Sequence, residues 1–99
     1  MRIPDDVDDP SVTKASGRVR LPLHIYWSGD DPQNKQWDLD DPLQRELVYR
    51  MVMIEGDDDD IRYFIDVDQL IAMWQGLFLP LRVREAWTAW LRDHRGVLL

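Results

Sequence analysis

Arg18-Val-Arg-Leu-Pro-Leu-His-Ile-Tyr-Trp27 is the stretch that sets the architecture of this chain. Its aliphatic residues and Trp27 occupy alternate positions, and Arg, Pro, His and Tyr occupy the positions between them. A strict period of two is typical of a half-buried β-strand, so we expect an extended strand over residues 18–27. No other segment shows a comparable pattern, and an unpaired strand exposes backbone groups that seek another chain. The pattern therefore favours an interaction protein.

Pro22 limits how such a strand can pair. It lacks an N–H and disrupts pairing along one edge, which leaves at most one usable edge for a partner. The alternative is that residues 18–27 lie across the helices of their own chain. In that case the core would be completed by Val19, Leu21, Leu23 and Ile25.

The composition excludes several classes of protein. The chain has 99 residues and no cysteine, which excludes disulfides, thiolate zinc sites and a cysteine nucleophile. No apolar run approaches the ~18 residues of a membrane span, and Met1–Asp9 lacks the apolar core of a signal peptide. We therefore expect a cytoplasmic protein without membrane contact. The net charge of −7 suits a basic protein partner better than a phosphate backbone.

Three segments are expected along the chain. Residues 1–17 are rich in aspartate and small polar residues, and they predict a disordered acidic arm. Residues 18–27 form the strand, and residues 28–99 form a small helical domain. This domain begins with a polar loop over 28–37, which Trp37 and Leu39 anchor to the core.

The first helix is predicted over residues 42–55. Asp41-Pro42 places an N-cap before a proline at the first helical position, and Gly56 marks the end. Apolar residues recur along it at spacings of four, four and three, and we expect this stripe to lie in the core. The stripe consists of Leu43, Leu47, Met51 and Ile54, with Val48 beside it.

Three further helices follow by the same reasoning, over about 59–65, from Asp66 to near Phe78, and over about 81–94 with Gly96 as its end. The expected fold is mainly α, a compact bundle of about four short helices with an N-terminal extended arm or single β-strand. Of the five tryptophans, Trp74, Trp87 and Trp90 lie on the apolar helix stripes. Trp27 and Trp37 flank the polar loop, and packing on the helices or on a partner remains open for both.

No constellation of residues predicts catalysis, a cofactor or a metal. Asp57–Asp60 lacks the alternating spacing and the closing glutamate of a calcium loop, and it suits the start of a helix. His24 and His94 are far apart in the sequence, with no nucleophile or phosphate loop beside them. We expect His94 to complement the end of the last helix. We therefore expect this protein not to be an enzyme.

DNA binding is the alternative function. An N-terminal strand that pairs across a dimer can read the major groove, as in ribbon-helix-helix regulators. The chain lacks their compact spacing between strand and helix and their basic charge. The residues that would contact nucleic acid are Arg18, Arg20, Arg82, Arg84 and Arg92.

From Leu21 onward the order of segments resembles a family of small actinobacterial antitoxins paired with nucleotidyltransferase-type toxins of the abortive-infection kind. The residues that carry the resemblance are Leu21-Pro-Leu-His-Ile-Tyr-Trp-Ser28, Asp38-Leu-Asp-Asp-Pro42, Tyr49, Ile54-Glu-Gly56, Ile61-Arg-Tyr-Phe-Ile-Asp66, Leu79-Pro80, Val83-Arg-Glu-Ala-Trp87 and Trp90-Leu91. They are packing and capping patterns over about three-quarters of the chain. The resemblance implies a protein that binds and neutralises a cognate toxin.

The strand is where we expect that toxin to bind. Strand addition would give affinity through backbone hydrogen bonds, and the aromatic residues would fill pockets. A homodimer in which two strands pair is the other arrangement considered. The expected partner-binding residues are Leu21, Leu23, His24, Ile25, Tyr26, Trp27 and Trp37.

Overall fold

A computed structural model describes residues 3–99. Two short strands, β1 (Arg18–Arg20) and β2 (Gln36–Asp38), precede the helices α1 (Pro42–Glu55), α2 (Asp58–Phe64), α3 (Val67–Met73) and α4 (Leu81–Arg95). Single 3₁₀ turns lie at Pro32–Asn34 and Trp74–Gly76. The mainly helical class that the sequence predicts is confirmed.

The predicted strand has a partner within the chain. β1 and β2 pair antiparallel, with Val19 opposite Trp37. The Leu39 N–H donates to the Gly17 carbonyl at 2.8 Å and extends the ribbon by one bond. The expectation of an unpaired strand was wrong, because β2 lies at the end of the segment that was predicted to be a polar loop. Only its buried Trp37 marks it as a strand.

The strand ends at Arg20 instead of Trp27, and the reason is Pro22. Its carbonyl accepts from the Ile25 and Tyr26 N–H groups at 2.9 and 3.0 Å, so the chain turns. The turn places Leu21 and Ile25 in the core and directs Leu23 outward. This arrangement agrees with the alternative in which the segment packs on its own helices, except at Leu23.

Residues 3–17 do not form a disordered arm in the structure. Val7 is fully buried. The Lys14 ammonium donates to the backbone carbonyls of Val7 and Arg62, both at 2.6 Å. Burial lowers the pKa of Lys14. Met1 and Arg2, which the prediction also covered, lie outside the described residues.

Ion pairs accompany the packing of this aspartate-rich segment. The Arg62 guanidinium on α2 donates to Asp6 at 2.7 Å, and Arg95 on α4 donates to Asp8 at 3.0 Å. The sequence shows the acids, but it does not show that two helices present arginines to them. Such exposed pairs add little individually, so the burial of Val7 is the main anchor.

Helix α1 has the predicted bounds, but the side that the sequence predicts to be buried faces outward. The Asp41 carboxylate accepts from the Leu43 N–H at 3.0 Å as the N-cap. The core side of the helix carries Val48, Tyr49, Val52 and Met53. The stripe that includes Leu43 therefore faces outward, and only the prediction for Val48 is confirmed. Both sides of this helix are apolar, so periodicity alone does not select the buried side.

The remaining helices follow their capping signals. Asp57 and Asp60 form a reciprocal capping box at the start of α2. Helix α3 ends at Met73, before the predicted end, because the chain tightens into the 3₁₀ turn that ends at Gly76. Trp74, Trp87 and Trp90 are buried as predicted. Gly96 ends α4 with a positive φ of 64°.

Tyr49 ties α1 to the junction between α2 and α3. Its hydroxyl accepts from the Asp66 N–H at 3.0 Å, and Asp66 is the N-cap of α3. Burial raises the pKa of Tyr49 to about 12. This hydrogen bond therefore fixes α1 relative to the start of α3.

Replacing Val7 with alanine tests whether the N-terminal segment belongs to the core. We expect V7A to reduce the free energy of unfolding by about 2 kcal/mol, through lost burial and a residual cavity. Urea titration followed by circular dichroism measures the loss. A V7A midpoint equal to that of the parent would show that residues 3–17 do not contribute to the core.

Candidate functional site

The structure divides the predicted partner-binding residues into buried, half-buried and exposed groups. Leu21, Ile25 and Trp37 are buried, so they complete the core instead of facing a partner. Tyr26 is half-buried and meets Trp37 edge to face, with ring centroids 5.3 Å apart. The exposed group is Leu23, His24 and Trp27, which we call the Trp27 surface.

Trp27 is the most prominent member of this surface. Its exposed fraction is 73%, and that of Leu23 is 50%. The next loop carries the exposed carboxylates of Asp30 and Asp31. An exposed apolar side chain, followed along the chain by exposed acidic groups, is therefore available to another molecule.

His24 fixes one side of the Trp27 surface to helix α2. Its Nε2 lies 2.5 Å from Asp60 Oδ2 and 4.0 Å from Asp57 Oδ2. The same Asp60 oxygen accepts from the Asp57 N–H at 3.0 Å in the capping box. The Asp60 hydrogen bond raises the pKa of His24, and the Asp60 and Asp57 charges add to that effect. The pKa of Asp57 is lowered, first by its hydrogen bond from the Asp60 N–H.

These three side chains also have the donor types of a metal site. One ligand atom from each of His24, Asp57 and Asp60 lies within 4.8 Å of the others. The contacts already explain the cluster, since both carboxylates cap α2 and Asp60 pairs with the imidazole. The sequence shows the aspartates as one block, but no local pattern places His24 beside them. The bond from Asp60 to His24 joins residues 36 positions apart.

The arginines of the DNA-binding alternative form two groups. Arg18 and Arg20 are exposed on β1, on one face of the ribbon. Arg82, Arg84 and Arg92 lie on α4, where the Arg84 guanidinium stacks over Trp74 at 4.9 Å. Arg92 pairs with Asp93 at 3.2 Å. Of these residues, only the β1 pair shares the outer face of a β-ribbon.

The outer face of α1 is exposed, although its apolar residues were predicted to lie in the core. Its leucines at 43 and 47 have exposed fractions of 70% and 44%, and that of Ile54 is 36%. Arg50 is exposed on the same side of the helix, and Met51 is half-buried at its border. The sequence feature that corresponds to this exposed face is the apolar stripe, which the periodicity predicts to lie in the core.

His94 lies in the last turn of α4, where the sequence places it. Its Nδ1 lies 3.0 Å from the Trp90 carbonyl, and its ring stacks on Trp90 with centroids 4.2 Å apart. It therefore belongs to the end of α4.

No family model, curated protein or solved structure matches this chain. Within residues 3–99, none of the helices has the length and apolar character needed to cross a membrane.

Replacing His24 with glutamine tests the ion pair through its pH dependence. A raised pKa in the folded state means that the bond stabilises the protein fully below the ordinary histidine value of 6.5. That contribution disappears as the pH rises through the raised value. We therefore expect H24Q to destabilise the protein more at about pH 5.5 than at about pH 9, as measured by urea unfolding.

Asp60→Asn supplies the control for this measurement. In a double-mutant cycle, the pH-dependent part of the H24Q effect should become much smaller in the D60N background, where only the charge of Asp57 still favours the protonated imidazole. An undiminished pH dependence without the Asp60 carboxylate would show that another group is responsible.

Proposed function

We propose that this chain is a non-catalytic, antitoxin-like protein that binds and neutralises a cognate nucleotidyltransferase-type toxin. The observation that carries the proposal is Trp27, which is 73% exposed on a folded surface. Tryptophan is strongly enriched among the residues that dominate binding energy at protein interfaces. The family resemblance of residues 21–96 suggests the class of partner.

The Trp27 surface is ordered before a partner arrives. The turn at Pro22 fixes the backbone of Leu23 and His24, and the His24–Asp60 pair attaches the turn to α2. Tyr26 packs on Trp37 directly before Trp27. Preorganisation lowers the entropy cost of binding, which supports a role as a binding anchor.

The charge of the chain favours a basic partner. The net charge is −7, and Asp30 and Asp31 follow Trp27 in the next exposed loop. An enzyme that handles nucleotides and tRNA presents a positive active-site surface. An acidic protein complements such a surface and can block it by occupying it.

Strand addition remains possible, but only along a short edge of the β-ribbon. In residues 3–99, β1 and β2 pair only with each other, so each strand has one edge without a ladder partner. A strand of the toxin could pair at such an edge through backbone hydrogen bonds. The segment available for this is much shorter than the sequence indicated.

DNA binding is the second candidate, and the exposed pair Arg18 and Arg20 is the observation that favours it. Two-stranded ribbons read the major groove with outward side chains of this kind. Against this function, the whole chain is acidic, whereas DNA binding requires a basic face.

Co-expression with the toxin encoded by the neighbouring gene tests the proposal. We expect a stable complex and protection from toxicity, and we expect Trp27→Ala to weaken the complex at least tenfold because a hot-spot contact is lost. Affinity is measured by titration calorimetry with the purified proteins.

Phe78→Ala is the matched control, since Phe78 is an exposed aromatic residue elsewhere on the chain. It should leave the affinity unchanged. A lack of complex, or equal effects of W27A and F78A, would contradict the proposal. A mobility shift on the promoter DNA of this gene at low salt, lost in the Arg18→Ala, Arg20→Ala double variant, would favour the regulator instead.

A further inference from the structure

The outer face of α1 carries an apolar stripe that no other part of residues 3–99 covers. Leu43, Leu47 and Ile54 form it, with Arg50 between them, at spacings of four, three and four residues. This alternation of three and four is the seam pattern of a helix that packs lengthwise on a second helix. From Leu43 to Ile54 the stripe runs about 17 Å, which is three turns.

Charge along this face is arranged in three zones. Arg50 lies in the middle of the stripe, and no carboxylate in residues 3–99 forms an ion pair with it. The N-terminal end is acidic because Asp40 and Asp41 precede the helix. The C-terminal end is acidic because Glu55 and Asp57–Asp59 follow Ile54, although Asp59 pairs with Arg62 at 2.9 Å and Asp57 lies 4.0 Å from His24 Nε2. The order along the stripe is therefore acidic, basic, acidic.

A second copy of this chain does not complement that order. In a parallel pair, Arg50 would meet Arg50 and each acidic end would meet its equivalent. In an antiparallel pair, Asp40 and Asp41 would meet Glu55 and Asp57–Asp59. Both arrangements place like charges at both ends of the seam, which opposes association.

We infer that the outer face of α1 binds an amphipathic helix of another protein. The chemistry of that helix is the complement of the stripe: apolar seam positions, a carboxylate opposite Arg50, and Lys or Arg near both ends. Apolar burial supplies the affinity, and the charge order selects the partner and its register. This inference goes beyond the proposed function, because it uses no residue of the Trp27 surface.

Two synthetic helical peptides of equal length test the inference. Both carry the same leucines at the seam positions. The basic-ended peptide has Lys at both ends and one central Glu, and the acid-ended peptide has these charges reversed. By fluorescence anisotropy with the full chain, we expect the basic-ended peptide to bind at least tenfold more tightly. The difference should shrink at high salt, because salt screens exposed charges.

Variants of the chain assign the binding to the stripe. Leu47→Asp should abolish binding of the basic-ended peptide, whereas Leu98→Asp, at an exposed leucine in the C-terminal tail, should not affect it. Arg50→Glu should reduce the tenfold preference, because it removes the central attraction. Thermal unfolding followed by circular dichroism establishes that each variant is folded.

Three results would overturn the inference. The first is that neither peptide binds, and the second is that both bind equally. The third is a dimer of the isolated chain, seen by sedimentation, that Leu47→Asp dissociates, which would make a second copy the occupant. None of these results bears on the effect of Trp27→Ala on the toxin complex, so the two proposals fail independently.

Discussion

The carboxylate of Asp60 connects the start of α2 to the turn that begins at Pro22. It accepts from the Asp57 N–H, which starts α2, and it pairs with His24, which holds the turn against that helix. A nearly buried side chain thus helps to hold the turn beside which Leu23 and Trp27 are exposed.

Local signals in the sequence predict the helices well. Asp41, Asp57 and Asp66 are short side chains that bond to nearby N–H groups, so the positions of these caps follow from a few neighbouring residues. Gly96 likewise ends α4 for a reason local to the backbone. The side of a helix that faces the core is harder to predict. Helix α1 is apolar on two sides, and only the packing against its neighbours decides that Val48 and Val52 face inward.

The candidate site could be predicted only in part. The alternation of residues 18–27 indicated a strand, but Pro22 converts its second half into a turn, where spacing of four places Leu21 and Ile25 on one side. As a result, Leu21 and Ile25 are buried, whereas Leu23 and Trp27 are exposed. The pairing of β1 with β2 and of Asp6 with Arg62 joins distant parts of the chain, and no local pattern in the sequence contains such information.

The burial of four of the five tryptophans gives this protein an optical property. Their indole rings lie in the core, whereas that of Trp27 is open to solvent, so a small aqueous quencher such as acrylamide reaches mainly one fluorophore. The quenchable part of the intrinsic emission consequently reports on a single side chain. Any molecule that covers the turn would shield it, and binding could be followed without a label on either protein.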